Sequence, residues 1–287
     1  MSRWDLDTVR WDRFDPALVD RELLALARGA CLVEYNADAY TDYLSRVFGD
    51  DAGFRERIQA WGEEEKQHGL ALKRWVEMAD PDFRFEHSLC VFRAAYQQLP
   101  NDGSDSVRGS RARELVARCI VESGTASFYS ALRDTAGEPV FKEICSLVAL
   151  DEVRHFNLFR KALEARYARE ETLGRLSRLK VVVARVFETS DEELCFAYRA
   201  GNFPDEPIEP ARIREYSRDY MQRITRLYQP EHFRLGLGLA MKASGIDASQ
   251  RSRTILGHVA HHLLRIRYQA MTGLAHMTRD VAVTRTP

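Results

Sequence analysis

The sequence predicts an all-α fold: four long helices in a bundle, with further helices appended at the C-terminal end. Three observations predict it. Apolar residues recur at steps of three and four over long windows, and strand-like alternation is nearly absent. The breakers, 9 Pro and 16 Gly in 287 residues, gather at a few junctions.

The first helix is expected from about Asp15 to Phe48, with Pro16 in its first turn and Gly49-Asp50-Asp51 beyond its end. A second runs from about Phe54 to Met78 and stops before Asp80-Pro81. A shorter one, Glu86 to Gln98, ends at Pro100, and Asn101-Asp102-Gly103-Ser104-Asp105 reads as a loop. The third long helix covers about Ser110 to Thr135. Gly137-Glu138-Pro139 breaks it, and the fourth runs from Pro139 to about Arg169. Further helices are expected at about 171–188, 210–228, 231–244 and 248–275, and Gly201–Pro210, with three prolines, reads as a linker. We expect one domain, a core bundle over about 15–170 with accessory helices over 171–287.

Composition narrows the class. With 45% hydrophobic residues the chain can bury a sizeable core without disulfide staples. A mean hydropathy of -0.39, with no uncharged apolar stretch near ~20 residues, argues against a membrane span. The N-terminus is charged and lacks the apolar region of a secretory signal. Cys31, Cys90, Cys119, Cys145 and Cys195 are scattered and form no CxxC pair, so reduced thiols in a cytoplasmic protein are expected. Net charge is -1, yet from Ala211 onward 13 basic residues stand against 5 acidic ones. That region suits an acidic partner or is a solvated surface; no basic-aromatic motif points to nucleic acid.

The polar residues that fall on buried faces carry the functional signal. In the second helix the apolar row Phe54, Ile58, Trp61 continues at the helical period to Glu65 and His68, then Leu72 and Trp75. In the fourth, Phe141, Cys145 and Val148 lead to Glu152 and His155, then Phe159 and Ala162. Glu34 shares a face with Ala27, Ala30, Cys31, Ala37 and Thr41, and Glu122 lines up with Leu115, Cys119, Thr125 and Tyr129. The tally is Glu, Glu-x-x-His, Glu, Glu-x-x-His, one set per long helix. Four carboxylates and two imidazoles cannot stay unpaired in an apolar core, because each buried ion costs several kcal/mol. Two iron or manganese ions answer that cost, and this is the ligand set of ferritin-like di-metal carboxylate bundles. Glu64 and Asp151, each preceding a ligand glutamate, are placed to hydrogen-bond the far nitrogens of the histidines. Glu63 reads as solvated; Arg154 either pairs with one of these acids or points outward.

At these residues the chain resembles the soluble acyl-acyl carrier protein desaturases. Trp61-Gly62-Glu63-Glu64-Glu65-Lys66-Gln67-His68-Gly69 is similar to the family's W-x-x-E-E-N-R-H-G box, and Asp151-Glu152-Val153-Arg154-His155 to its D-E-K-R-H box. Glu122-Ser123-Gly124-Thr125 is similar to its E-R-A-T, and Glu34 with Tyr40 to its E-E-A-L-P-T-Y segment. The similarity spans about residues 20–165. It implies that Glu34, Glu65, His68, Glu122, Glu152 and His155 ligate two irons (or Mn/Fe), with Thr125 relaying protons and Trp61 packed beside the site. It further implies O2 as oxidant, a ferredoxin-type electron donor, an acyl chain on an acyl carrier protein, and a homodimer. Lys66 and Gln67 replace the family's Asn and Arg, and the chain is shorter than the plant enzymes. Other chemistries stay open on the same scaffold: hydroxylation, N-oxygenation, aldehyde deformylation or ferroxidase activity. His258, His261 and His262 read as a surface cluster, and Glu86-His87 and Glu231-His232 are given no role.

Overall fold

The computed structural model describes residues 4–96, 103–188, 192–207 and 210–283, and no strand occurs among them. The helices are α1 (Arg21–Tyr35), α2 (Asp38–Val47), α3 (Ala52–Ala79), α4 (Phe85–Ala95), α5 (Arg111–Thr135), α6 (Pro139–Ala162), the short α7 (Ala168–Glu170), α8 (Arg175–Glu188), α9 (Glu192–Asn202), α10 (Pro210–Leu227), α11 (Pro230–Ala243) and α12 (Gln250–Val283). The all-α expectation holds. Among the described residues no helix is long and apolar enough to cross a membrane.

Capping chemistry fixes the starts. Asp20 accepts from the Glu22 and Leu23 amides, Asp51 from Phe54, and Ser110 from Arg113, each filling donors that a helix N-terminus leaves open. Glu138 caps α6 through Val140 and Phe141 and accepts the Trp75 indole N–H at 2.7 Å, which ties α3 to the α5–α6 junction. What reads as a mere breaker is a buried capping carboxylate, 2% exposed.

Three expectations are corrected. The first helix is two: Asp20 rather than Asp15 starts α1, and α1 ends at Asn36, whose amide bonds back to Leu32 and whose side chain accepts from Arg93. The fourth helix does run to its expected end, α6 continuing through one π-helical turn, Leu163–Tyr167, into α7. Helix α9 went unpredicted. Gly201, read as the start of a linker, lies inside α9, where a Cβ would stand 2.8 Å from the Arg28 carbonyl carbon. Close packing against α1, not chain flexibility, selects glycine there. Gln98, the expected end of α4, lies outside the described residues.

α5 packs along α6, and α1 lies between α3 and α9. The apolar core is divided in two. One part gathers Leu72 and Trp75 of α3, Phe141 and Val148 of α6, and Leu32 of α1. The other gathers Ile58 and Trp61 of α3, Leu115 of α5, and Phe156 and Phe159 of α6. α3 and α6 therefore run antiparallel, and the polar residues of both lie at the seam between the two parts.

Candidate metal centre

Helices α1, α3, α5 and α6 each deliver a carboxylate to that seam. Glu34, Glu65, Glu122 and Glu152 are all below a tenth exposed, as are His68 and His155. They form two overlapping groups, each with ligand atoms within 4.8 Å of one another: Glu34, Glu65, His68 and Glu152, and Glu65, Glu122, Glu152 and His155. Glu65 and Glu152 belong to both. The i, i+3 spacing produces this, because Glu and His of each pair rise one turn apart on the same face.

The residues fit a pair of divalent ions on the evidence of three atoms. Nδ1 of His68, Nδ1 of His155 and Oε1 of Glu152 are buried and make no hydrogen bond, although buried polar atoms are normally satisfied. All three face the carboxylates: His68 Nδ1 lies 3.3 Å from Glu152 and 3.5 Å from Glu65, and His155 Nδ1 lies 3.0 Å from Glu65. The opposite nitrogens are fully engaged. His68 Nε2 pairs with Asp151 at 3.2 Å and His155 Nε2 with Glu64 at 2.9 Å. The pairing is crossed, since Asp151 on α6 serves the imidazole of α3 and Glu64 on α3 serves that of α6. Each carboxylate fixes its imidazole's orientation and directs Nδ1 inward, as a metal-binding histidine requires.

Protons occupy this constellation in the absence of metal. Burial and the neighbouring Glu65 charge raise Glu34 to about 7 and push Glu152 well above the carboxylate range. Glu65 lies well below that range: burial opposes ionisation, but His155 and His68 outweigh it. Burial likewise opposes charging of the histidines, yet Asp151, Glu152, Glu34 and Glu65 hold His68 well above its ordinary value, and Glu65 with Glu64 brings His155 to about 10. Asp151 falls to about 2 because His68 and Arg154 overcome its burial. Loading two cations must displace these protons, so uptake at pH 7 should release on the order of three protons per pair of ions. Affinity should therefore rise with pH, because only the metal-free state holds those protons. Titration calorimetry with Mn2+ in buffers of different ionisation enthalpy reads this directly, and uptake without proton release would disprove it.

The two positions differ in their supports. Glu34 accepts the Tyr129 hydroxyl at 2.6 Å, whereas Glu122 pairs with the Arg118 guanidinium at 2.7 Å. Arg118 is itself buried, stacked 4.7 Å over Trp61 and 5.1 Å from Tyr40. Thr125 donates to Glu152 at 2.5 Å and also reaches the Glu122 and Val121 carbonyls, combining a contact to the cluster with the helix back-bond. Trp61 packs edge-on against His155 and Phe159. Arg154 pairs with both Asp151 and Glu64, and Glu63 is exposed.

Sequence reasoning missed three residues. Trp4 stacks on His68, with ring centroids 6.0 Å apart, and its indole donates to Asp151 at 2.8 Å across 147 positions of sequence. No local pattern announces such a contact. Arg118 did have a signal, a cation one turn before a buried glutamate, and Tyr129 stood on the Glu122 stripe with a hydroxyl to satisfy. His258, His261 and His262 join no metal-capable group among the described residues. His232, given no role, is structural: it closes a capping box with Gln229 and bonds Asp134 at 3.1 Å.

The Trp4–Asp151–His68 chain predicts that Trp4→Phe and Asp151→Ala each lower metal affinity, by about 10- to 100-fold for the aspartate and less for the tryptophan. Competition against a chromogenic chelator measures it, and an unchanged Asp151→Ala affinity would refute the orienting role. No family model matches the chain, and no curated protein matches it.

Proposed function

We propose that the chain is a cytoplasmic di-iron oxidoreductase that uses O2 to remove hydrogen from an acyl chain or a similar apolar substrate, on a ferritin-like scaffold. One observation carries the reading: two carboxylate–imidazole groups share Glu65 and Glu152 at a buried seam, with both Nδ1 atoms left without hydrogen bonds. Glu34, Glu65, His68, Glu122, Glu152 and His155 would hold the metal pair, which when bound supplies O2 activation and attack on an unactivated C–H bond.

The chain's own residues supply the rest. Thr125 holds a proton against Glu152 at the edge of the cluster, positioned to pass it inward. Phe156, Phe159 and Trp61 wall off the site and keep water from the reacting atoms. Arg118 neutralises Glu122 and biases the two positions toward different affinities. The reading carries with it a ferredoxin-type donor, a homodimer, and an acyl carrier protein docked on the basic C-terminal region, which charge reversal at Arg212, Arg214 and Arg218 would test.

Anaerobic reconstitution with ferrous iron, followed by O2, tests it on wild type and Glu122→Ala. Two irons per chain, with oxidation kinetics that change on adding long-chain acyl carrier protein, are expected. Two irons oxidised at a rate indifferent to acyl substrate would favour ferroxidase activity or another oxygenase. Failure to bind iron would remove the metal assignment.

A further inference from the structure

A second surface is built for binding, on the far side of the accessory helices. Helix α12 packs one face onto α11 so closely that a Cβ on Gly257 would stand 2.6 Å from the Pro230 carbonyl oxygen, and Leu264 joins the core beside it. The opposite face turns outward, and it is largely apolar, with His262 exposed within it. Ile255, Val259, Leu263 and Ile266 recur at helical spacing and are 45–64% exposed, with Leu256 beside them. Single exposed apolar residues are ordinary, but a row of five along one helix marks a contact surface.

Its charge says what the contact is. From Gln250 to Ala270 the helix carries four arginines and no acid. Arg251 and Arg265 are exposed at the flank of the apolar row. On the inner side, the groove between α11 and α12 is a cavity of about 260 Å³ lined by Arg234, Lys242 and Arg253 with apolar walls from Leu235 and Leu239. Glu231 of α11 lies in the neighbouring groove beside His258. A second copy of this face would set the arginines of one helix against those of the other, so self-pairing is opposed by its own charges. An interface of anionic headgroups over acyl chains satisfies both components. The apolar row enters the headgroup boundary while the arginines meet the phosphates.

We propose that the outer face of α12 docks the protein on anionic lipid bilayers, with the helix lying in the plane of the interface. The helix is about 50 Å long at about 1.5 Å per residue, and it is not apolar enough to cross. The proposal stands on the α12 surface alone and is independent of the metal centre.

The test is co-sedimentation of the full chain with vesicles of phosphatidylcholine alone and of phosphatidylcholine with phosphatidylglycerol, at low and high salt. Wild type should pellet with the anionic vesicles only and be released by salt as the charges are screened. Val259→Asp with Leu263→Asp, both at exposed positions, should weaken binding by about tenfold or more. Arg251→Gln with Arg265→Gln should weaken it by about tenfold while leaving the apolar row intact. Circular dichroism and metal stoichiometry should match wild type in both variants. Absence of anionic-vesicle binding, or binding indifferent to these changes, overturns the proposal. So does a dimer, or a complex with an acidic protein, that the apolar-row variant disrupts while vesicles bind nothing.

Discussion

Glu152→Gln is expected to abolish stable loading of both metal positions while leaving the metal-free protein as stable as wild type. Glu152 belongs to both ligand groups, so its loss is felt at each position, unlike that of Glu34 or Glu122. A neutral amide donates little to a divalent cation, and the affinity should fall by more than about 100-fold, beyond the effect of an orienting residue. The metal-free state should respond differently. There Glu152 is held in its neutral form by burial and by the Glu65 charge, and glutamine is the same shape without the proton. It still offers an oxygen to the Thr125 hydroxyl. Unfolding without metal should thus differ by less than about 1 kcal/mol. Wild type should gain about 4 kcal/mol at a thousandfold metal excess over Kd, and the variant almost none. Metal analysis after dialysis and melting curves with and without Mn2+ decide the matter. Two ions retained by Glu152→Gln would show that the carboxylate is not shared.

Gly69→Ala should damage both stability and the centre through backbone contact. A Cβ at Gly69 would lie 2.5 Å from the Tyr35 nitrogen and 2.7 Å from its Cα, so the two helices would have to separate. Main chain yields less readily than a flexible side chain. Overpacking of this kind costs about 1–3 kcal/mol. The displaced atoms adjoin the site on both sides, since Glu34 precedes Tyr35 and His68 precedes Gly69. Melting temperature and metal affinity should fall together. Gly124→Ala is the matched control: it lies in α5 beside Ser123 and Thr125, a Cβ there meets nothing within 4 Å, and alanine should stabilise the helix by up to about 1 kcal/mol. If Gly69→Ala binds and melts as wild type, α1 and α3 are not held at this separation by that glycine.

Much of the candidate centre was legible because its residues lie on regular helices. Periodicity alone aligns Glu65 with His68 and Glu152 with His155, and a charged residue on an apolar stripe stands out against its neighbours. The same logic placed Glu34 and Glu122. It failed where structure depends on distant sequence. Trp4 reaches Asp151 from a segment with almost no regular structure, and which histidine each acid serves depends on how α3 and α6 face each other. The break at Asn36 was masked because the helical spacing of Ala27, Ala30 and Glu34 continues past it to Ala37 and Thr41, and its side chain acts here through a bond from Arg93. The end of helix α9 was hidden by its glycine, a residue that signals a turn locally but a close approach in three dimensions.

The crossed partnership of Asp151 with His68 and Glu64 with His155 has a consequence for assembly. Each helix carries the other's guide, so neither imidazole is aimed until both helices have arrived in register. A slip of one turn, about 5.4 Å, would separate both pairs at once. The arrangement works as a two-key lock. A half-docked or misaligned intermediate would offer no partly correct pocket to capture a stray ion, and a metal bound here would reward only the finished alignment.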